Sequence, residues 1–484
     1  MAINLKTTRI NYPFGYWNSV GCWSAMTITL CLAYAGHARS ALVRGLALAA
    51  VPMCSVGLYL ALSRAGVGGA IIGAVVVTVL AEWRWLTFVQ TVLAAVASLV
   101  VILAVRAEPA VVLGTGSEGA MSIVLVLAAV STALGLVAWL VARAGLERQL
   151  RMERTRGRRL GFVAVIVAVV VLVALASVFG GRAYDQFIGK DVVVTTTSSD
   201  ARLAQLNGNR HNLWDSAWDA FTAHPITGTG PGTFEFWWSR NGSNGEFVRD
   251  VHNVFLEALA ETGVVGLALL LMLIGGLFWS AWRPRAQLSD GRSGAVGIHA
   301  GLIAVFVVFV AQAAFDWMWE STAITVFALV AVAAAAASAS PRKSLGNAAS
   351  TSVGLLIVAF LAVVVMLPGL ASQRQIDKSQ AAFRGNDFVA AREAADDAVR
   401  AQSWSATAYG QLALALEAEG ELTRAREAID LAQQKEPTNW RWPLVALKIA
   451  VAAGDVDAAV AARRRAIKLR RFSKALGQRS PKIR

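Results

Sequence analysis

Long apolar blocks constrain the fold of this chain more than any other feature of its sequence. A helix needs about 17 to 25 predominantly apolar residues to cross a hydrocarbon core of roughly 30 Å. Of the 484 residues, 56% are hydrophobic and only 16% are charged, which excludes an ordinary soluble enzyme. We therefore predict an all-α, polytopic bundle of about ten transmembrane helices. The apolar runs lie at 20–36, 44–62, 66–81, 86–105, 121–142, 160–180, 254–281, 297–315, 321–339 and 351–370.

The charges of the short loops predict how this bundle is oriented. Lysine and arginine in such loops mark the cytoplasmic side, and the loop at 143–159 carries seven arginines against two glutamates. Alternation from this loop places outside the N-terminal segment, the turns around 63–64 and 316–320, the loops at 106–120 and 181–253, and everything after 371. No charged leader with a cleavage site opens the chain, so we expect the helices themselves to drive insertion.

Four regions follow from this topology. The long polar loop is rich in Trp, His and Gly, which argues for function rather than plain disorder. We expect N-terminal transmembrane helices at 1–180, an extracytoplasmic catalytic loop at 181–253, C-terminal transmembrane helices at 254–370 and a soluble tail at 371–484.

Cysteine positions and net charge narrow the class of protein further. Cys22, Cys31 and Cys54 fall in or beside predicted spans, in neither a metal-ligand nor a disulfide spacing, and are interpreted as packing residues. The net charge of +14 reflects cytoplasmic loops and the C-terminal end, so nucleic acid is not an expected partner. No histidine or carboxylate motif for a metal stands out, and we predict metal-independent chemistry without a cofactor.

An aromatic helix is predicted at the start of the outer loop. Trp214, Trp218 and Phe221 recur at i, i+4 and i+7 over residues 212–223. One interpretation is an anchor at the membrane interface, where Trp is enriched. The other is that Trp214 or Trp218 offers a flat face to a sugar ring. The pattern does not separate the two.

Glycines and one histidine follow this helix. The segment from His224 to Gly232 includes Gly228 and Gly230, and it can turn tightly and bring its backbone close to a ligand. His252 and Asn253 then stand just before an apolar helix, where a neutral imidazole can act as a general base. A hydrogen-bonded interface histidine is the alternative interpretation.

Two arginines share the predicted outer face with His252. Arg64 lies at the outer end of the second span, where an unpaired charge is costly unless it is solvated or functional, and Arg210 opens the aromatic helix. Two guanidinium groups beside a base suit transfer from a pyrophosphate-linked donor, because forked contacts hold the diphosphate and neutralise the leaving group.

These residues lie in stretches that resemble the O-antigen ligase and polymerase family of bacterial envelope proteins. The resemblance covers about 10–340, and its most specific part is the His-Asn pair that opens a helix running to Glu-x-Gly. The stretches begin at Tyr12 (Tyr-Pro-Phe-Gly-Tyr-Trp-Asn), at Ser63 (Ser-Arg-Ala-Gly), at Arg210 (Arg-His-Asn-Leu-Trp), at Pro225 (Pro-Ile-Thr-Gly-Thr-Gly-Pro-Gly) and at His252 (His-Asn-Val-Phe-Leu-Glu).

The resemblance implies a metal-independent, inverting glycosyltransferase on the outer side of the cytoplasmic membrane. Its donor would be an undecaprenyl-pyrophosphate-linked glycan and its acceptor a lipid or a glycan. Catalysis is expected from Arg64, Arg210 and His252, with Asp250 and Glu257 orienting the histidine. Expected substrate contacts come from Asn18, Trp214, Trp218, Gly228, Gly230 and Asn253. Family members have several spans before the Tyr-Pro-Phe-Gly turn, whereas this chain starts almost at it, which fits a truncated start or a short variant.

The tail carries an internal repeat. Gly385, Gly420 and Gly454 recur at spacings of about 34 residues, as do Ala398, Ala432 and Ala466. A 34-residue period of paired helices predicts tetratricopeptide repeats. Such repeats dock partner proteins, although a spacer or a stabilising cap explains the pattern equally well. The stretch after Arg463 is strongly basic and is expected to be solvated or to contact anionic groups.

Three other functions compete with the ligase. A polymerase shares every motif named above. A non-catalytic scaffold of an envelope polysaccharide machine would use the repeats to recruit partners. A transporter is permitted by the apolar runs, but the predicted spans contain no set of acidic residues forming an ion pathway.

Overall fold

The computed structural model describes residues 9–112, 114–146, 210–288, 294–338 and 345–471. These residues are helical, and no β-strand occurs among them, as the all-α prediction requires. The chain forms two compact units, one of Met1–Trp214 with Val251–Pro341 and one of Asp215–Asp250 with Arg342–Arg484.

The first unit contains eight of the apolar helices of the described residues. Its elements are α1 (Trp17–His37), α2 (Ala41–Leu60), α3 (Arg64–Leu80), α4 (Arg84–Arg106), α5 (Pro109–Val112), α6 (Ala120–Arg143), the start of α7 (Arg210–Ala223), α9 (Val254–Trp282), α10 (Arg285–Leu288), α11 (Ala295–Ala313) and α12 (Thr322–Ala337).

Six segments of the described residues are long and apolar enough to cross a membrane. They are α1, α2, α4, α6, α9 continued through α10, and α11, while α3 and α12 are shorter apolar helices. Eight predicted runs thus coincide with apolar helices. The run at 160–180 lies outside the described residues, and the one at 351–370 falls within a longer helix of the second unit, so the total of ten spans stays a prediction.

Close helix packing brings the start of α1 next to the start of α3. Helix α1 packs against α2, α3 and α11. A Cβ on Gly66 would lie 3.0 Å from the Gly21 backbone, and one on Gly21 would lie 2.5 Å from Ser63 Oγ. Small residues allow backbones to approach this closely in membrane proteins. Arg64, the first residue of α3, is therefore held near the turn that begins α1.

The second unit joins part of the outer loop to the C-terminal helices. Consecutive tail helices pack against each other around an alanine-rich core that includes Leu416, Ile429 and Trp442. Its elements are the end of α7, α8 (Phe234–Asn241), α13 (Leu345–Arg384), α14 (Phe388–Ala401), α15 (Ala406–Glu419), α16 (Leu422–Lys435), α17 (Arg441–Ala452) and α18 (Val456–Leu469).

The repeated positions of the tail have clear structural roles. Ala398, Ala432 and Ala466 are fully buried, so the 34-residue period marks packing positions. Gly420 and Gly454 adopt left-handed backbone conformations where α15 and α17 end. The helical hairpins follow the expected period, while their assignment to the tetratricopeptide class stays a prediction. The expected boundary at 370/371 falls inside α13, which runs unbroken from the last predicted span into the tail.

Candidate functional site

A buried carboxylate is the centre of the candidate site. Asp316 lies in the turn between α11 and α12, and its side chain is only 1% exposed. A buried charge is stable only when it is paired and hydrogen-bonded. Asp316 meets both conditions, because side chains from three distant parts of the first unit donate to it.

The turn before α1 provides two of these donors. Tyr16 Oη donates to both carboxylate oxygens of Asp316, at 2.9 and 3.0 Å, and Asn18 Nδ2 lies 2.5 Å from Oδ2. Asn18 also donates to Tyr16 Oη at 2.8 Å. The Tyr16 ring stacks on Trp317 with centroids 4.2 Å apart, and the Trp317 N–H donates to Asp316 Oδ1. The turn and the carboxylate thus form one network.

His252 reaches the same carboxylate from the start of α9. Its Nδ1 lies 3.0 Å from Asp316 Oδ1, and its side chain is 29% exposed. The backbone of His252 is left-handed, with φ of 58°, which is uncommon for a residue with a side chain. Asn253 follows as the N-cap of α9, accepting from the N–H groups of Phe255 and Leu256. This cap fixes the chain direction at His252.

Arg210 approaches from the start of α7. Its guanidinium Nη2 lies 3.1 Å from Asp316 Oδ2, with the side chain 30% exposed. Arg64 lies within electrostatic range of Arg210 and of Arg9. Among the described residues, no hydrogen-bond partner reaches the buried Arg64 Nη1. Arg64 thus brings a second guanidinium group near the one that binds Asp316, and Arg9 lies near Arg64.

The hydrogen-bond network sets the protonation of Asp316 and Tyr16. Burial of Asp316 favours its neutral form, but the hydrogen bond from His252 and the charge of Arg210 hold its pKa below the usual range. Burial and the Asp316 charge raise the pKa of Tyr16, so the phenol stays a donor. An ionised carboxylate only accepts, so Nδ1 of His252 carries a proton, and in the neutral imidazole Nε2 is then the nitrogen with the lone pair.

The structure brings several predicted residues together. Arg210, His252 and Asn18 bind one carboxylate, and Arg64 lies nearby. The Trp214 ring lies 6.1 Å from that of Phe315, which precedes Asp316.

The other predicted residues have different surroundings. Asn253 caps α9, and Glu257 Oε2 accepts from the Val251 N–H at 3.0 Å. Trp218, Gly228, Gly230 and Asp250 belong to the second unit. Gly228 and Gly230 have φ of 67° and 111° in the turn after α7. These backbone conformations favour glycine whether or not a ligand binds there.

Sequence reasoning missed three residues of this site. The sequence analysis included Asp316 only in the outer turn at 316–320 and Tyr16 only in the stretch that begins at Tyr12. It did not single out Arg9. One signal was available for Asp316, because the predicted topology placed its turn on the same face as Arg64, Arg210 and His252. A carboxylate on that face is a natural partner for a histidine expected to act as a base.

The fold and the site together define a class of protein. The apolar helices indicate a multi-pass membrane protein. Its first unit holds an imidazole paired with a buried carboxylate beside clustered guanidinium groups. Such a site is equipped to hold an anionic group and to accept a proton from a nucleophile.

Comparison with known proteins points to a particular family. Residues 107–271 match the family model described as O-Antigen ligase. The Exopolysaccharide production protein ExoQ of Rhizobium meliloti (strain 1021) is 27% identical over 190 residues, which cover 36% of this chain and 37% of the relative. The chain thus matches little more than a third of that relative's length. Both findings support the O-antigen ligase family and a membrane ligase- or polymerase-type role in glycan assembly.

Proposed function

We propose that this protein is a metal-independent, inverting glycosyltransferase that moves a glycan from an undecaprenyl-pyrophosphate carrier to an acceptor hydroxyl. One observation carries the proposal: the buried Asp316 binds both His252 and Arg210, so a proton acceptor and a fixed cation share one anchor. The family match and the exopolysaccharide-production relative support glycan as the substrate class.

The guanidinium groups would bind the donor's diphosphate. Arg210 pairs with Asp316, Arg64 lies near Arg210 and Arg9 lies near Arg64, so the three arginines carry two more positive charges than this one carboxylate balances. A pyrophosphate diester carries two negative charges and would balance the excess. Arginine suits this task because its planar fork matches phosphate oxygens in pairs. The positive charge that the leaving group needs comes from these side chains, so no metal ion enters the proposal.

The chemical step is a single displacement at the anomeric carbon. The acceptor oxygen attacks C1 of the donor sugar while the bond from C1 to the phosphate oxygen breaks. The electron pair leaves with the undecaprenyl pyrophosphate, whose charge the arginines stabilise. The acceptor's proton passes to His252 Nε2, the lone-pair nitrogen of a neutral imidazole whose Nδ1 donates to Asp316. Attack opposite the leaving group inverts the anomeric centre.

The remaining site residues receive supporting roles in this proposal. Tyr16 and Asn18 hold the carboxylate, and Asn253 fixes the backbone at His252. Trp214 is proposed to contact the lipid or sugar part of the donor, because its ring lies beside the turn that carries Asp316.

Residues of the second unit and Glu257 receive proposed roles in substrate contact and in positioning the histidine. Trp218, Gly228 and Gly230 are proposed to contact the glycan. Asp250 and Glu257 are proposed to orient the histidine. The site would face the outer side of the bacterial cytoplasmic membrane, with the tail on the same side, and the tail's repeats could dock a protein partner.

Complementation in cells that lack the gene tests this function. Wild type, Arg210→Ala and His252→Ala would be expressed at matched membrane levels, and glycans would be resolved by chain length. Each variant is expected to lose nearly all product, because one lacks the diphosphate contact and the other the base. Full complementation by both variants would reject catalysis and favour a non-catalytic scaffold.

The same experiment separates ligase from polymerase. Polymerase activity is the second candidate, favoured by the relative that is named for exopolysaccharide production. Cells without a ligase accumulate full-length lipid-linked glycan, since only the last transfer is blocked. Cells without a polymerase keep single repeat units.

A further inference from the structure

The outer-loop residues 215–250, here called the connecting segment, join two residues of the candidate site. Arg210 lies a few positions before the segment and His252 two positions after it. The connecting segment belongs to the second unit, together with the C-terminal helices. Within that unit α8 packs against α18, so part of the outer loop is docked on the tail.

A bidentate ion pair is the main contact between α8 and the tail. Arg441, the first residue of α17, donates to both carboxylate oxygens of Glu235 in the first turn of α8, at 2.7 and 3.1 Å. The Glu235 side chain is only 12% exposed. The guanidinium of Arg441 also lies 5.6 Å from the ring centre of Phe236 and 6.0 Å from that of Phe247. A shielded, bidentate pair of this kind is stronger and more directional than an ordinary surface ion pair.

The tail holds Arg441 in place before it meets Glu235. The Arg441 N–H donates to Asn439 Oδ1 at 3.0 Å, and the buried Asn439 donates to Glu436 at 2.8 Å. The Trp442 indole donates to the same carboxylate of Glu436 at 2.9 Å. This polar turn is part of the tail's own fold, so the position of Arg441 is set by the tail rather than by the loop.

A second contact lies one turn further along α8. The backbone N–H of Arg471, just after α18, donates to the Ser239 carbonyl at 3.1 Å. The guanidinium of Arg470 lies 4.0 Å from the ring centre of Trp440, which precedes Arg441. Helix α8 is therefore held at Glu235 by the start of α17 and at Ser239 by the residue after the end of α18.

The connecting segment is well ordered around α8. Phe234 and Trp238 are each 1% exposed, and the Trp238 indole donates to the Glu246 carbonyl at 3.1 Å. Between α7 and α8, the Gly228 N–H donates to the His224 carbonyl at 2.9 Å. Helix α7 itself begins at Arg210, so hydrogen-bonded structure runs from that arginine to the docked helix.

We infer that the C-terminal tail is an intramolecular brace that positions the catalytic part of the outer loop through the Glu235–Arg441 contact. The inference rests on the proposed function, because it assigns Arg210 and His252 to one reaction centre. Both ends of the connecting segment lie in one compact unit, so docking the segment on the tail limits the separation of the two chain ends that lead to Arg210 and His252. Glu235 and Arg441 are thus positioning residues, and the tail is needed for activity without any partner protein.

Reciprocal charge reversal in the full-length protein tests the brace. Arg441→Glu and Glu235→Arg each set like charges against each other and are expected to lower glycan product roughly tenfold. The double variant restores an opposite-charge pair and is expected to recover most of the product. Arg441→Lys, which keeps the charge but lacks the fork, is expected to fall between wild type and Arg441→Glu. Backbone amides of α8 in the purified protein are expected to exchange hydrogen faster in the single reversals and to regain protection in the double variant.

A second, more exposed ion pair in the same tail provides the control. Arg426 pairs with Asp455 at 3.0 Å, neither being a residue of the connecting segment, and Arg426→Glu is expected to keep wild-type product. Unchanged product in Arg441→Glu, with Arg210→Ala inactive, would overturn the brace and leave the proposed function standing. Unchanged exchange in α8 on reversal of Arg441 would overturn the brace whatever the activity. Activity in Arg210→Ala would instead count against the proposed function.

Discussion

Asp316 shows how one side chain decides the chemistry available to its neighbours. It receives hydrogen bonds from Tyr16, Asn18, Arg210 and His252, and each of these bonds requires an acceptor. An ionised carboxylate meets them all, and the lowered pKa of Asp316 keeps it ionised. The carboxylate therefore selects the histidine tautomer as well as the position of the arginine.

Replacement by the isosteric amide separates charge from shape at this position. In Asp316→Asn the amide nitrogen has to face one of the donors, His252 or Arg210, so one contact becomes repulsive. Loss of the carboxylate also removes the preference for the reactive tautomer. We expect glycan product to fall roughly 10²-fold or more, at unchanged protein level, in the complementation assay.

Glu320 offers a control within the same turn. Its side chain is exposed and its carboxylate lies within 4.8 Å of that of Glu257, so Glu320→Gln removes one negative charge of the turn and leaves every donor to Asp316 in place. Wild-type product is expected from this variant. A similar loss in both variants would mean that the general charge of the turn, rather than the carboxylate of Asp316, controls activity.

Sequence reasoning found the cationic and basic residues but not the acid that joins them. Arg64, Arg210 and His252 stood out because a charge at a span end and a His-Asn pair before a helix are unusual local features. Asp316 has no such local feature, and its partner Tyr16 is 300 positions away. Long-range contacts of this kind leave no periodic pattern in a single sequence. Arg9 was missed for the same reason.

At the scale of elements, helix contacts decide where the arginine of α3 lies. Gly21 on α1 faces the buried Ser63, which caps α3 directly before Arg64. The Ser63 hydroxyl accepts from the Gly66 N–H at 3.2 Å. Any atom added at Gly21 therefore pushes against the cap that fixes the start of α3.

Gly21→Ala is expected to destabilise the protein and to displace Arg64. Its Cβ would lie 2.5 Å from Ser63 Oγ, with helix backbone on both sides. Overpacking of this kind costs about 1–3 kcal/mol. We expect a lower thermal midpoint in detergent and reduced glycan product.

Gly68→Ala is the matched change on α3, because a Cβ there would meet nothing within 4 Å. It is expected to leave both the thermal midpoint and the product unchanged. Equal effects of the two substitutions would show that helix propensity, rather than the α1–α3 contact, is responsible.

Helix positions were predictable because apolar length and periodicity are local properties. Eight apolar runs and the aromatic helix near 212–223 correspond to helices, the latter observed as Arg210–Ala223. What the sequence did not predict was the grouping of residues 215–250 with the C-terminal helices. That grouping depends on specific contacts such as Glu235–Arg441, which hydropathy does not encode.

At the scale of the whole molecule, loop charge predicts on which side each soluble part lies. The arginine-rich loop after α6 is expected inside, and the tail outside. Ser403 in the tail and Ala144 at the end of α6 are both exposed. Ser403→Cys is therefore expected to react with a membrane-impermeant maleimide in intact cells. Ala144→Cys is expected to react only after permeabilisation.

The natural cysteines set the background of this experiment. Cys22 is buried, and Cys31 and Cys54 are half-buried within helices, so the wild-type protein is expected to label weakly. The opposite labelling pattern would place the tail in the cytoplasm, and the outer-face site would then need to be abandoned.

The separation of the site residues along the chain has a consequence for biosynthesis. Arg64 and Arg210 emerge early, whereas the carboxylate that organises the site follows α11. Ribosomes build the chain from its N-terminus, so nascent protein lacks Asp316 until most of the apolar helices have been made. In the proposed function, incomplete chains would hold the donor's diphosphate only through isolated arginines and would have no oriented base. The proposed lipid-carried donor would thereby be spared from cleavage by half-made copies in the membrane.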